Sequence, residues 1–348
     1  MYDYLNARIK AMKGRLLPND VFIELLQADD VQRIIEALLE TPYDVCMSSA
    51  LTRFSGAQAI DRAVAEDLYT KLHKLVDMVF DRPRELIVIL LKRWDAYNIK
   101  SVLRAVHFGA DPAKVESIII PAGEIHRETL HELAAAENVR AALDLMATWN
   151  IDFAWPLDRA FTDYDEQRDL SHLEYAIDRF YFEQSLAGLA AKDPNTALVR
   201  EIICMEADIV DIVLALRFVG DEEENKQRAA NLLLGCGTLP RAFFADLLWS
   251  DDAVAALTKL DATVYAPAIQ KGVLHFSESG KVAVLERLFE EILIRRGIRM
   301  GREDPLSIGV AIEYIWRKYN EFVNLRLLAR CKSVGMPAGA IREELILA

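Results

Sequence analysis

The chain has 348 residues, enough for two or three ordinary domains and for a core that needs no disulfide or metal to hold it. Hydrophobic residues make up 52% and charged residues 27%, which is a globular composition and excludes a disordered one. Lys and Arg number 41 against 54 Asp and Glu, a net charge of −13, which argues against a general nucleic-acid binder because that class needs a basic face. Gly (15) and Pro (11) together are about 7% of the chain against an average nearer 12%, so long helices joined by short turns are expected.

The opening stretch MYDYLNARIKAMKGRLL is amphipathic and charged every few residues, unlike the uninterrupted apolar centre of a signal peptide. Residues 16–43 read as a loop, a helix, an acidic pair (Asp29-Asp30), a second helix over Val31–Leu39, then Thr41 and Tyr43. Helical periodicity continues over Ala63–Phe80. The longest apolar run, Leu86–Leu91, is far short of the ~20 residues that span a bilayer. The β-branched run Val115–Ile120 is the best strand candidate, but a single strand makes no sheet. Further amphipathic helices are read at Leu173–Leu189, Val282–Ile294 and Ile308–Leu328, and the predicted fold class is all-α. Trp155-Pro156 and Pro267 are read as linkers between modules, and Trp94, Trp149, Trp155, Trp249 and Trp316 as core. The cysteines Cys46, Cys204, Cys236 and Cys331 lie far apart without a CxxC pair, which suits small core residues in a reducing compartment.

One polar pattern recurs three times, in WDAYNIKSVLR (94–104), ADIVDIVLALR (207–217) and NEFVNLRLLAR (320–330). It consists of an acid (Asp95, Asp208, Glu321), an amide or second acid three residues on (Asn98, Asp211, Asn324), and an arginine six further on (Arg104, Arg217, Arg330). The step between copies is 113 residues both times. Gly109, Gly220 and Gly335 follow the arginines closely, as left-handed helix caps would. After the first two copies come a Gly-containing loop, a helix, a polar pair (Glu137-Asn138; Asp251-Asp252) and a second helix. The third copy lacks that continuation, and residues 16–43 have its form. The sequence therefore predicts three modules, 58–155, 156–272, and 273–348 completed by 1–57, in a closed quasi-threefold arrangement whose terminal segments pack together.

YLNARIKAMKGRLL, LLKRWDAYNIKSVLRAVHFG, MEADIVDIVLALRFVG and YIWRKYNEFVNLRLLAR, in this order along essentially the whole chain, resemble the C subunit of V-type and A-type ATPases (ATP synthases), the relative of the eukaryotic V-ATPase d subunit. The resemblance implies a funnel of three helical modules and a non-catalytic central-stalk part of the rotor, peripheral on the cytoplasmic face of the membrane. It further implies as partners the central-shaft subunits D and F and the membrane rotor ring of c/K/L-type subunits, with the membrane stator as a further candidate neighbour. Proton or sodium transport, or ATP synthesis, would be the work of the whole machine. The alternatives are a helical-repeat scaffold unrelated to rotary ATPases and, more weakly, a helical enzyme.

The signature residues have two readings, a partner-facing one and a structural one. The acid and the amide are neighbours on one helix face, whereas the arginine lies about half a turn away in azimuth. Ties between adjacent helices are therefore preferred. Two basic stretches, Arg8, Lys10, Lys13 and Arg15, and Arg295, Arg296, Arg299 and Arg302, could meet acidic patches or lipid headgroups, or could be solvated helix faces. No cofactor, metal or catalytic residue is expected. His126 and His131 are five apart near Glu124 without a third ligand; GxxxxGK[ST], GxGxxG and GxSxG are missing, and charges surround the Gly297/Gly301 spacing.

Overall fold

A computed structural model describes residues 2–279 and 281–348. Among the described residues there are 19 α-helices, one 3-10 helix and no strand, so the fold is all-α. Contacts divide the chain into two compact units, residues 1–181 with 301–348, and residues 182–300. Both divisions fall inside helices, Ser171–Gly188 and Ala283–Glu303, rather than at the expected module boundaries.

In the first unit the Gly309–Ser333 helix is the centre. It is buried nearly all round, 19 of its 25 residues, and so shows little amphipathic pattern. Its most extensive packing is against Gly56–Asp77, and the N-terminal helix Tyr2–Lys13 lies on it as well. Asn6 donates to the Pro305 and Ser307 carbonyls, and helix Asn19–Gln27 packs against the C-terminal helix Ala338–Glu344, so the two terminal segments do pack together. In the second unit Pro194–Phe218 packs on Arg241–Leu248 through fully buried Phe244, Leu247 and Leu248.

Val31–Leu39 is a helix with the expected bounds, and Leu173–Leu189 differs by one or two residues at each end. The segment read as Ala63–Phe80 is Gly56–Asp77, followed by an exposed Phe80 that opens the next helix. Val115–Ile120 is no strand. Val115 ends a short helix, the Ile118 and Ile119 N–H groups return to its carbonyl, and burial of Val115, Ile119 and Ile120 accounts for the apolar run. Pro156 and Pro267 sit in the first turns of helices Ala154–Gln167 and Ala266–Ser279, where a proline lacks only an N–H that would have no helical partner. Of the five tryptophans only Trp94 and Trp316 are core; Trp149, Trp155 and Trp249 are exposed, Trp155 lying under the Arg159 guanidinium. Cys331 is buried and the other three thiols are half-buried, with all four pKa values pushed up by burial.

Repetition is visible in the caps. The second member of each polar pair, Asp30, Asn138 and Asp252, is an extended N-cap whose side chain accepts from the N–H three residues on. Gly109, Gly220 and Gly335 all have positive φ (61, 83 and 71°), the left-handed conformation expected after each signature arginine.

Candidate functional site: three loop clamps

The signature lies on three long helices, Asp81–His107, Pro194–Phe218 and Gly309–Ser333. Each acid grips a loop that returns across its helix. Asp95 accepts from the backbone N–H groups of Glu124 and Ile125, both at 2.9 Å. Asp208 accepts from Thr238 (3.1 Å) and Leu239 (3.0 Å), and also from the Thr238 hydroxyl. Glu321 accepts from Leu17 at 2.6 Å. The second signature residue holds the start of the same loop. Asn98 binds both the carbonyl and the N–H of Ile120 (2.8 and 2.9 Å), and Asn324 does the same to Ile346 (2.9 and 3.2 Å). Asp211, a carboxylate with no N–H to give, accepts instead from two successive donors, Leu234 and Gly235, both at 2.8 Å.

The third loop is thus made of two segments distant in sequence. Ile346 stands where Ile120 and Leu234 stand, and Leu17 stands where Glu124 and Thr238 stand. Backbone groups of loops supply the N–H donors to each acid and to each second signature residue, and side chains add further bonds to Asp208 and Glu321.

A tyrosine just before the next helix completes the second and third clamps. The Tyr265 hydroxyl donates to Asp208 at 3.0 Å, and the Tyr43 hydroxyl to Glu321 at 2.6 Å. No phenol bonds Asp95 among the described residues, and Phe153 is the buried N-cap of helix Ala154–Gln167. Around Glu321 lies a buried charge network that has no counterpart at Asp95 or Asp208 among the described residues. Lys318 donates to Glu321 (2.6 Å) and to Tyr43 (2.8 Å) and forms an ion pair with Asp67, which Lys71 also meets.

Burial raises the pKa of Asp95 to about 6, and the N–H groups of Ile125 and Glu124 offset only part of that rise. Asp211 is likewise pushed to about 6 by burial, against the opposing pull of the Gly235 and Leu234 N–H groups. Lys318 is buried, yet Glu321 and Asp67 hold its pKa above the ordinary lysine value.

The arginines reach out of the clamps. Arg104 makes a two-pronged bond to Glu174 (2.5 and 2.8 Å), Arg217 reaches Glu286 (2.6 Å), and Arg330 reaches Asp61 (2.8 Å) and the Ser117 carbonyl (2.6 Å). Each acid lies near the start of a long helix, Ser171–Gly188, Ala283–Glu303 or Gly56–Asp77.

The basic stretches are divided between the two units. Arg8, Lys10 and Arg15 are exposed, whereas Lys13 pairs with Glu313 at 2.6 Å. Arg295 pairs with Glu291 and Arg296 with Glu201, Arg299 is exposed in the second unit, and Arg302 belongs to the first unit. His126 is bonded to the Tyr69 hydroxyl (2.9 Å).

Sequence reasoning missed Lys318, Asp67 and Asp61. Lys318 was legible as an i, i+3 neighbour of Glu321, but Asp61 and Asp67 lie on another helix and nothing in their spacing points to these partners.

A loop clamp recurs three times along an all-helical chain, and its acids and second residues hold loops to long helices. The chain belongs to the ATP synthase (C/AC39) subunit family, whose model matches residues 5–344. It is 26% identical to the A-type ATP synthase C subunit of Haloquadratum walsbyi, covering 98% of this chain and 97% of that one. The C subunits of the A-type ATP synthases of Haloferax volcanii and Methanothermobacter thermautotrophicus are also 26% identical, with 99% of this chain covered in both and 97% and 87% of theirs. The chain is accordingly a subunit of a rotary ATPase, and no helix among the described residues is long and apolar enough to cross a membrane.

Proposed function

We propose that this chain is the non-catalytic central-stalk part that couples the shaft, the D–F pair, to the ion-translocating ring of the membrane rotor. It acts as the socket through which torque passes, during ion pumping or ATP synthesis, from a peripheral position on the cytoplasmic face. Its working parts are three modules, 58–155, 156–272, and 273–348 with 1–57. The observation that carries the reading is the family match over residues 5–344. The triplicated clamp supports it physically. Each clamp fixes a loop to a long helix through buried hydrogen bonds, and close-packed helices transmit strain instead of yielding to it. The signature residues then serve rigidity, and shaft and ring contacts fall to exposed side chains.

Co-purification tests this reading. The purified chain is expected to retain both a D–F pair and the detergent-solubilised ring. Retention of neither would favour a helical scaffold with other partners, and nucleotide turnover by the isolated chain would point to an enzyme.

A further inference from the structure

In the first unit a cluster of arginines gathers around one exposed serine, Ser117. Helix Gly309–Ser333 sends Arg326 and Arg330 to the same two acceptors, the Asp61 carboxylate and the backbone carbonyl of Ser117. Arg330 reaches them at 2.8 and 2.6 Å. One residue before the serine, Glu116 meets Arg127 at 3.3 Å and Arg62 at 3.9 Å. Four arginines thus share two acids. Lys114, one turn before the serine, is exposed and adds a further cation without an ion pair among the described residues. The other acid of this segment, Asp111, caps the far end of the short Pro112–Val115 helix.

The shortage of anions shows at Arg326. Burial and the neighbouring Arg330 charge lower its pKa below the ordinary arginine value, although Asp61 pulls the other way. Donors are left over as well. Nη1 of Arg127 is buried with no acceptor, and Nη1 of Arg326 and of Arg330 makes no hydrogen bond among the described residues. A buried N–H without an acceptor is costly. The Ser117 hydroxyl, by contrast, has only a local partner, the Lys114 carbonyl at 2.8 Å, and is exposed.

We propose that Ser117 is a phosphorylation site whose phosphate is received by Arg326 and Arg330. A protein kinase supplies a nucleoside triphosphate. Ser117 Oγ attacks the γ-phosphorus, the bond from that phosphorus to the β–γ bridging oxygen breaks, the nucleoside diphosphate leaves and the hydroxyl proton passes to water. Both guanidinium groups already hold the carbonyl of this same residue, so a phosphate on its side chain lies within one residue's reach of them. A dianion with three acceptor oxygens answers the imbalance of four arginines on two acids and takes N–H groups that lack acceptors. Ile120, three residues on, is held by Asn98 in the first clamp, and Arg330 is the signature arginine of the third. The phosphate therefore strengthens the tie between those two copies of the repeat.

The test is the full chain with phosphoserine encoded at position 117, titrated by phosphorus NMR. The phosphate pKa should fall from about 6 in the urea-unfolded chain to about 5 or below in the folded one. Arg330→Ala, at an exposed position, should reverse most of that fall, and Arg330→Lys, which keeps the charge without the fork, part of it. Phosphoserine at position 48, an exposed serine bonded to Asp44, should show no fall. The chain phosphorylated at Ser117 should also melt above the parent. In the cells that make this chain, mass spectrometry should find phosphate on the peptide holding Ser117, and Ser117→Ala should remove it. An unshifted phosphate pKa in the folded chain, an equal fall at position 48, or a Ser117 peptide free of phosphate in every growth condition would overturn the proposal.

Discussion

The first and third clamps perform the same task with opposite electrostatics. Asp95 is a buried carboxylate without an ion pair among the described residues, held by two backbone N–H groups and pushed by burial to a pKa of about 6, with Lys92 opposing that rise only weakly. Glu321 is as deeply buried but sits in a network with Lys318, Tyr43 and Asp67. The difference follows the chain path. A continuous loop reaches Asp95, whereas the loop over the third helix is assembled from residues near both ends of the sequence. A short loop adds little closure entropy, while joining distant segments costs more and calls for stronger ties.

The sharpest test of that contrast is truncation of the two acids. Glu321→Ala strands Lys318 beside Asp67 and removes the acceptor of Leu17 and Tyr43, so a loss of about 3–5 kcal/mol is expected in urea unfolding. Asp95→Ala leaves two part-buried N–H groups without an acceptor and should cost less, about 1–3 kcal/mol. Equal losses would erase the distinction. Gly123→Ala forces a methyl group into the Asp95 carboxylate and should cost about 1–3 kcal/mol by overpacking.

The pH dependence should differ as well. The folded pKa of Asp95, about 6, lies above the ordinary value, so the folded protein keeps a proton that the unfolded chain releases. Its contribution is most favourable below about pH 4 and declines, by at most about 3 kcal/mol, as pH rises to about 6. In unfolding measured from pH 4 to 7, the stability advantage of the parent over Asp95→Asn should therefore shrink as pH rises; a constant gap would show an unshifted carboxyl. The smallest effect belongs to Arg217→Ala. Both partners of Arg217–Glu286 are about half exposed, and the pair should contribute under about 1 kcal/mol.

Much of this was legible from spacing. The 113-residue step located all three clamps and their caps because helix faces and glycine turns impose fixed residue chemistry. The loop partners were not legible, since a backbone N–H carries no mark in the sequence. Nor does a tyrosine such as Tyr43 or Tyr265 show in the sequence which acid its hydroxyl meets. The exposed tryptophans were misread because helical spacing gives a face without saying whether anything covers it. The expected modules and the two compact units also divide the chain differently, because contact density follows the crowded Gly309–Ser333 helix rather than the repeat.

The central proposal is that this chain stands between shaft and ring. The most direct measurement mixes the purified chain with a D–F pair and the solubilised ring and follows the masses of the assemblies. The account predicts a single complex holding all three, formed by the parent chain and lost when Glu321→Ala loosens the third clamp. Complexes in which shaft and ring exclude each other, or a chain that joins neither, would contradict it.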